Sequence, residues 1–594
     1  MIRIYSIILL FLFSSLSHFI AAPAEDIKIY EHIKFLADDD LQGRLPGTAG
    51  CKKAAALIAD EFESYGLNLL GDNGRQYFNV ITGVELGDGN YMKSGRINFK
   101  VGEDYIPYSY SENAEFSGDL VFVGYGLKVD EDSLKWNSFS GVNVSGKWVL
   151  MLYGDPDYSK RGMGRFDNYN TNRQKILTAK DLGAKGVIIV KGSKTSKEDA
   201  LEPLRYDRIN TRSGLPVVNL KRAAAMAFLS RIKNESIDKF EDDIISSDRP
   251  MSRDLDAKIE AKTNIKYIEA ETQNIIAELP GSDSKLSKEI IVIGAHYDHL
   301  GMGGHGTGSR MPDTVAVHNG ADDNASGVAA MLSIARMMSE QEIKPKRTVV
   351  FIAFSAEEMG LVGSNHFVSD PVVDIKNIKF MFNIDMIGRI DPKEKEFLIT
   401  GTGTAKGLED IVTNETTKYD YKPKFAPEGY GPSDHSSFYM KDISVLNFFG
   451  IAHVDYHTPR DDYDKLNIKG IEYISDLVSN LANEIADMSV IPQFKEAGPK
   501  QRTGGRRYNL KVTLGIMPDH AAQKIKGLRA GSVIKGRPAD RAGMEKGDVI
   551  VAINGKEIND IYDYMARLKE LRPGDRCNVD VLRNDKKVVL IVDL

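Results

Sequence analysis

Cysteine is almost absent: the 594 residues hold only Cys51 and Cys577, one near each end. No disulfide framework can staple this fold, so stability must come from apolar cores and any bound metal. Beyond the first two dozen residues no apolar run approaches the roughly 20 residues with which a helix crosses a bilayer, so no later segment is apolar enough to span one in that way. A net charge of -7 leaves no polybasic face, which argues against nucleic acid as a partner. Neither H-E-x-x-H nor G-x-S-x-G occurs, which argues against a zincin and a serine hydrolase. Solenoid-period repeats and long low-complexity tracts are missing as well.

What is present is an ordinary globular composition, 42% hydrophobic and 27% charged, on a chain too long for one core. Arg3, the apolar segment Ile7–Phe13 and the small residues Ala22-Pro23-Ala24 read as a signal peptide over residues 1–24. The expected mature protein is exported, to periplasm or medium, with no stable membrane anchor after cleavage. Residues 25–115 include a helical stripe through Ala55, Ile58, Ala59 and Phe62, and open one domain. From 116 to 262 the strands DLVFVGYG, KWVLMLYGD, GVIIV and LPVVNL form a separate β-rich module. The stretch 263–490 alternates IIVIGAH, RTVVFIAFS, KFMFNIDM and SVLNFFG with helices, the pattern of an α/β, doubly wound, mostly parallel sheet. Residues 491–507 read as a linker, and 508–594 as a last domain.

The chemistry gathers at strand ends. IIVIGAH runs into His296, Asp298 and His299, and the carboxyl edge of such a sheet is where ligands bind. A His with an Asp two residues on suggests a metal ligand and the carboxylate that orients its ring. NGADDNASG places Asp322 and Asp323 at a strand-to-helix junction, and Glu357-Glu358 follow another buried-looking strand. Adjacent carboxylates repel unless a cation sits among them. Asp385 ends an apolar strand, where an ionised carboxylate is costly unless paired or metal-bound. His457 follows SVLNFFG. Two His, two Asp and one Glu suit two zinc ions sharing a bridging carboxylate, since imidazoles disfavour magnesium and calcium, with cobalt or manganese as the alternatives.

In order, H-x-D, G-A-D-D-N-A-S-G, S-A-E-E-x-G, N-x-D-M-x-G and Y-H-T-P resemble the secreted di-zinc aminopeptidases of metallopeptidase family M twenty-eight, and the earlier L-Q-G-R-x-P-G-T is similar too. The resemblance implies that His296 and Asp385 hold one zinc, Glu358 and His457 the other, and that Asp323 bridges them. It implies Glu357 as general base and acid, Asp298 as the partner of His296, and Tyr456 as a group that polarises the carbonyl or steadies the oxyanion. Peptides with a free N-terminus are the implied substrates. His299, His305, Asp322 and Asp434 are read as loop or supporting positions.

The inserted module resembles a protease-associated (PA) domain, which in related enzymes lies as a lid or wall over the cleft. The last domain resembles a PDZ module, with T-L-G-I in place of the usual G-L-G-F. Backbone N–H groups of Leu514, Gly515 and Ile516 are its candidate site for a peptide C-terminus, and packing against the peptidase domain is the alternative. The competing activities are a carboxypeptidase or dipeptidase on the same core, and a non-catalytic receptor or scaffold.

Overall fold

The computed structural model describes residues 24–594 except 132, 159–163, 207–211, 230–234, 451, 499–511, 519–525 and 560. The export segment expected over residues 1–24 therefore lies, but for its last residue, outside the described residues. The chain divides into two compact units: one takes the chain up to Phe78 with Thr272–Gly498, the other Asn79–Glu271 with the chain from Pro499 onward.

The first unit is built on a nine-stranded mixed sheet. Its centre is four parallel neighbours, Thr348–Phe354, Ile290–His296, Ile378–Asp385 and Ser444–Phe449, flanked by antiparallel Ile265–Leu279 and Glu396–Thr400. Alternation along these strands supplies two apolar faces. Ile291, Ile293 and Ala295 join a core with the helices Ala24–Leu36, Ala49–Ser64, Gly327–Glu340 and Ile468–Asp487. Ile290 and Val292 face the other way, toward Phe367 and Phe438 on the helices Val362–Ser369 and His435–Tyr439. With each such side chain worth about 1.5–3 kcal/mol on burial, both faces are covered and only the strand ends stay open for polar groups. Residues 491–498, expected as linker, are partly docked instead: Phe494 bridges Ala405 and its ring lies 5.7 Å from Tyr439. An aromatic in that stretch gains more by burial than by remaining in solvent. The remainder, 499–507, is outside the described residues.

In the second unit an eight-stranded sheet contains the expected strands as Ala114–Phe122, Trp148–Leu152, Gly186–Val190 and Val217–Leu220. It also takes Tyr91–Ser94, Ile97–Phe99 and Tyr105–Pro107, so the unit extends beyond the expected limits of 116 and 262. Met92, Phe99 and Tyr105 are buried in this sheet's core, which holds that hairpin and edge strand there. The last domain forms a six-stranded sheet with the helix Ile561–Lys569. Arg567 of that helix is buried and grips Asp181 with two nitrogens, and Lys569 donates to the Asn168 carbonyl at 2.8 Å. Its packing partner within the unit is thus the inserted module.

Candidate metal centre and active site

His296 and Asp385 are the last residues of adjacent parallel strands, so the sheet itself delivers both side chains to one edge. His296 Nε2 lies 3.4 Å from Asp385 Oδ1 and 3.3 Å from Asp323 Oδ1. Asp323 comes from the turn Ala321–Ser326, ahead of the helix Gly327–Glu340. Its second oxygen faces elsewhere: Oδ2 is 3.1 Å from His457 Nε2, which is also 3.1 Å from Glu358 Oε1. One carboxylate thus divides its oxygens between two groups of donors.

Each imidazole is oriented from behind. His457 Nδ1 meets the Gly308 carbonyl at 3.1 Å, leaving Nε2 to face the acids. His296 Nδ1 meets the backbone carbonyl of Asp298 at 3.2 Å, while the Asp298 carboxylate is farther off at 3.8 Å. The main-chain oxygen is thus nearer to the ring than the Asp298 carboxylate, and the Asp298 side chain also accepts the N–H groups of Glu357 and Glu358 at 3.0 and 3.4 Å. A strand end followed by a turn brings the 298 carbonyl under the ring and turns its side chain toward the next strand's loop.

The centre carries an excess of buried negative charge. Burial, then repulsion from Glu358, Asp434 and Asp385, raises the Glu357 carboxyl well above the usual range. Burial also lifts Asp298 and Asp434, each to about 7. Burial opposes a charged His457, yet Asp323 and Glu358 carry it up to about 10. Tyr456 is stacked on the His457 ring with centroids 3.8 Å apart. Burial, then the charges of Asp323, Glu358 and Glu357, raise its phenol, so it remains a proton-bearing donor. The donors suit a metal: two groups, His296–Asp323–Asp385 and His299–Asp323–Glu358, each have ligand atoms within 4.8 Å of one another. Asp385 Oδ1 is closed off from solvent without a hydrogen-bond partner among the described residues, which a cation between it and His296 would remedy.

Arg44 and Asp461 support the site in roles not assigned from the sequence. Arg44, from L-Q-G-R, is fully buried and donates to the carbonyls of Tyr297 at 2.7 Å, Asn319 at 2.6 Å, Gly320 at 3.0 Å and Leu36. Its neighbour Gly43 has φ +68, and a Cβ there would lie 2.4 Å from the Gly301 carbonyl oxygen, so the segment can press against the His296 loop only as glycine. Asp461 accepts the N–H groups of Asp322 and Asp323, each at 3.1 Å, and so fixes the turn that presents Asp323. Asp322 itself pairs with His453 at 3.1 Å, and exposed His305 pairs with Asp313 at 2.7 Å. His299 is fully buried beside Glu358. In the last domain Leu514, Gly515 and Ile516 lead into the strand Ile516–Pro518, and the Gly515 N–H donates to Thr513 Oγ1 at 3.1 Å.

Residues 274–482, which contain every predicted metal ligand, match the family model of Peptidase family M28. This segment is a peptidase family M28 domain. Residues 116–228 match the PA domain and 512–594 the PDZ domain, so the chain carries the three modules in the expected order. It is 26% identical over 445 residues to aminopeptidase YwaD of Bacillus subtilis, covering 73% of this chain and 80% of that one. Leucine aminopeptidase 1 of Blastomyces gilchristii is 30% identical over 227 residues, 36% of this chain and 56% of its own. Among solved structures, BSAP, a zinc aminopeptidase from Bacillus subtilis, aligns with TM-score 0.46 and 24% identity over 78% of this chain and 96% of that one.

Proposed function

We propose that this chain is an exported zinc aminopeptidase that removes N-terminal residues from peptides. The observation that carries the reading is the sharing of Asp323: its two oxygens lie 3.3 and 3.1 Å from His296 and His457. His296, Asp385 and Asp323 would hold one zinc, and Glu358, His457 and Asp323 a second. Zinc at such a site supplies polarisation of the scissile carbonyl and a lowered pKa for the attacking water. Glu357, kept basic by burial among like charges, takes the proton of that water and returns it to the leaving amine. Tyr456 donates its hydroxyl proton to the oxygen that gains charge. Asp298 holds the main chain of Glu357 and Glu358 in place through the two N–H groups. A peptide C-terminus would dock at Leu514, Gly515 and Ile516.

The activity is tested with a panel of free-amine and N-acetylated aminoacyl chromogenic substrates, before and after chelation and return of zinc. Cleavage confined to free amines, lost on chelation and restored by zinc, is expected. Equal cleavage of blocked substrates would replace the aminopeptidase with a carboxypeptidase or endopeptidase.

A further inference from the structure

We propose that His299 is a fourth protein ligand of the metal position made by Asp323, Glu358 and His457. That position is then closed by protein, and the one at His296, Asp323 and Asp385 keeps the open place for water and substrate. The inference rests on the di-zinc reading above and goes beyond its ligand set.

The His299 ring is 0% exposed, and neither of its nitrogens has an aligned hydrogen-bond partner among the described residues. Nδ1 nevertheless lies 2.8 Å from Glu358 Oε1 and 3.9 Å from Asp323 Oδ2. A contact that short without hydrogen-bond alignment is what two donors make when both point at a third centre. Zinc held tetrahedrally at about 2.0–2.1 Å sets its ligand atoms about 3.3 Å apart. The separations here, 2.8, 3.1, 3.1 and 3.9 Å, bracket that value. The His299 and His457 rings stand 5.6 Å apart at 73°, so they approach from different directions.

The seat for this ring is also built. Gly320 has φ +55, and a Cβ on it would lie 2.6 Å from His299 Cγ and Cδ2. Only glycine takes that backbone readily and leaves room for the imidazole. The consequence for the reaction is asymmetry: a zinc with four protein ligands resembles a structural site, one with three a catalytic site.

The test is X-ray absorption on the zinc-loaded full chain, which counts imidazoles per metal, together with zinc affinity by equilibrium dialysis. The wild type is expected to show three imidazoles for two zinc ions and His299→Ala two. The affinity of the second zinc should fall by about 10-fold or more. Affinity alone would not separate a ligand from a hydrogen-bond support of Glu358; the imidazole count does. Melting of the zinc-free proteins confirms that the variant is folded, and His299→Gln repeats the measurement with a polar side chain if His299→Ala is not. Two imidazoles in the wild type, unchanged by the substitution, overturn the inference while leaving the di-zinc reading intact. A wild type that takes up fewer than two zinc ions overturns both.

Discussion

Asp298 Oδ1 accepts the backbone N–H of Glu357 at 3.0 Å, and its other oxygen accepts that of Glu358 at 3.4 Å. A residue two places after one proposed metal ligand thus sets the main chain that carries the proposed base and another proposed ligand. Asp298→Ala is expected to lower kcat/KM or zinc affinity by about 10–100-fold. Asp298→Asn, which keeps one acceptor oxygen, should lose less; equal losses in the two variants would show that the hydrogen bonds do not matter.

Glu357→Gln preserves shape and removes the proton acceptor. Turnover should fall by about 10²–10⁴-fold while zinc content, measured by mass spectrometry, stays at the wild-type level. Near-normal kcat would remove Glu357 from the proton transfer.

Arg44 holds three backbone carbonyls from the segments around His296 and Asp323, and a fourth, that of Leu36, at the end of the first helix. Arg44→Met strands those acceptors in a buried place, and a loss of about 3–5 kcal/mol in unfolding free energy is expected. Denaturant titration measures it, and a loss below about 1 kcal/mol would place these carbonyls in contact with water instead.

Lys175 in the inserted module donates to the Leu152 and Gly154 carbonyls, both at 2.9 Å, and burial pushes its amine down to about 7. Between that value and the ordinary 10.5, the unfolded chain binds more protons than the folded one. Stability contributed at this position therefore rises with pH through that window, and the full penalty of burying the charge applies below about 7. At about 1.4 kcal/mol per pKa unit, the gain amounts to a few kcal/mol. Urea titrations near neutrality and again well into the alkaline range should show wild type gaining on Lys175→Met; parallel pH dependence would mean that the amine keeps its ordinary titration.

Much of this protein is legible before folding because its signals are local. The apolar run Ile290–Gly294, ending on His296, states a buried strand and a polar end in seven residues. Asp385 betrays itself by standing at the end of IKFMFNID. The extent of the inserted module is less legible, since the strands at 91–99 belong to it only through pairing with Arg253–Thr263, far along the chain.

The sequence by itself determined which chemical groups stand at the strand ends, and hence the family resemblance of the peptidase domain, because residue type and position relative to an apolar strand survive any arrangement in space. Only the tertiary structure decided which oxygen faces which ring. It set the Asp298 side chain on the Glu357 main chain, joined Asp461 to the turn at Asp323, and brought buried His299 against Glu358. Those relationships join segments separated by tens to hundreds of residues, and burial, which sets the charge each group can bear, exists only once those segments have packed.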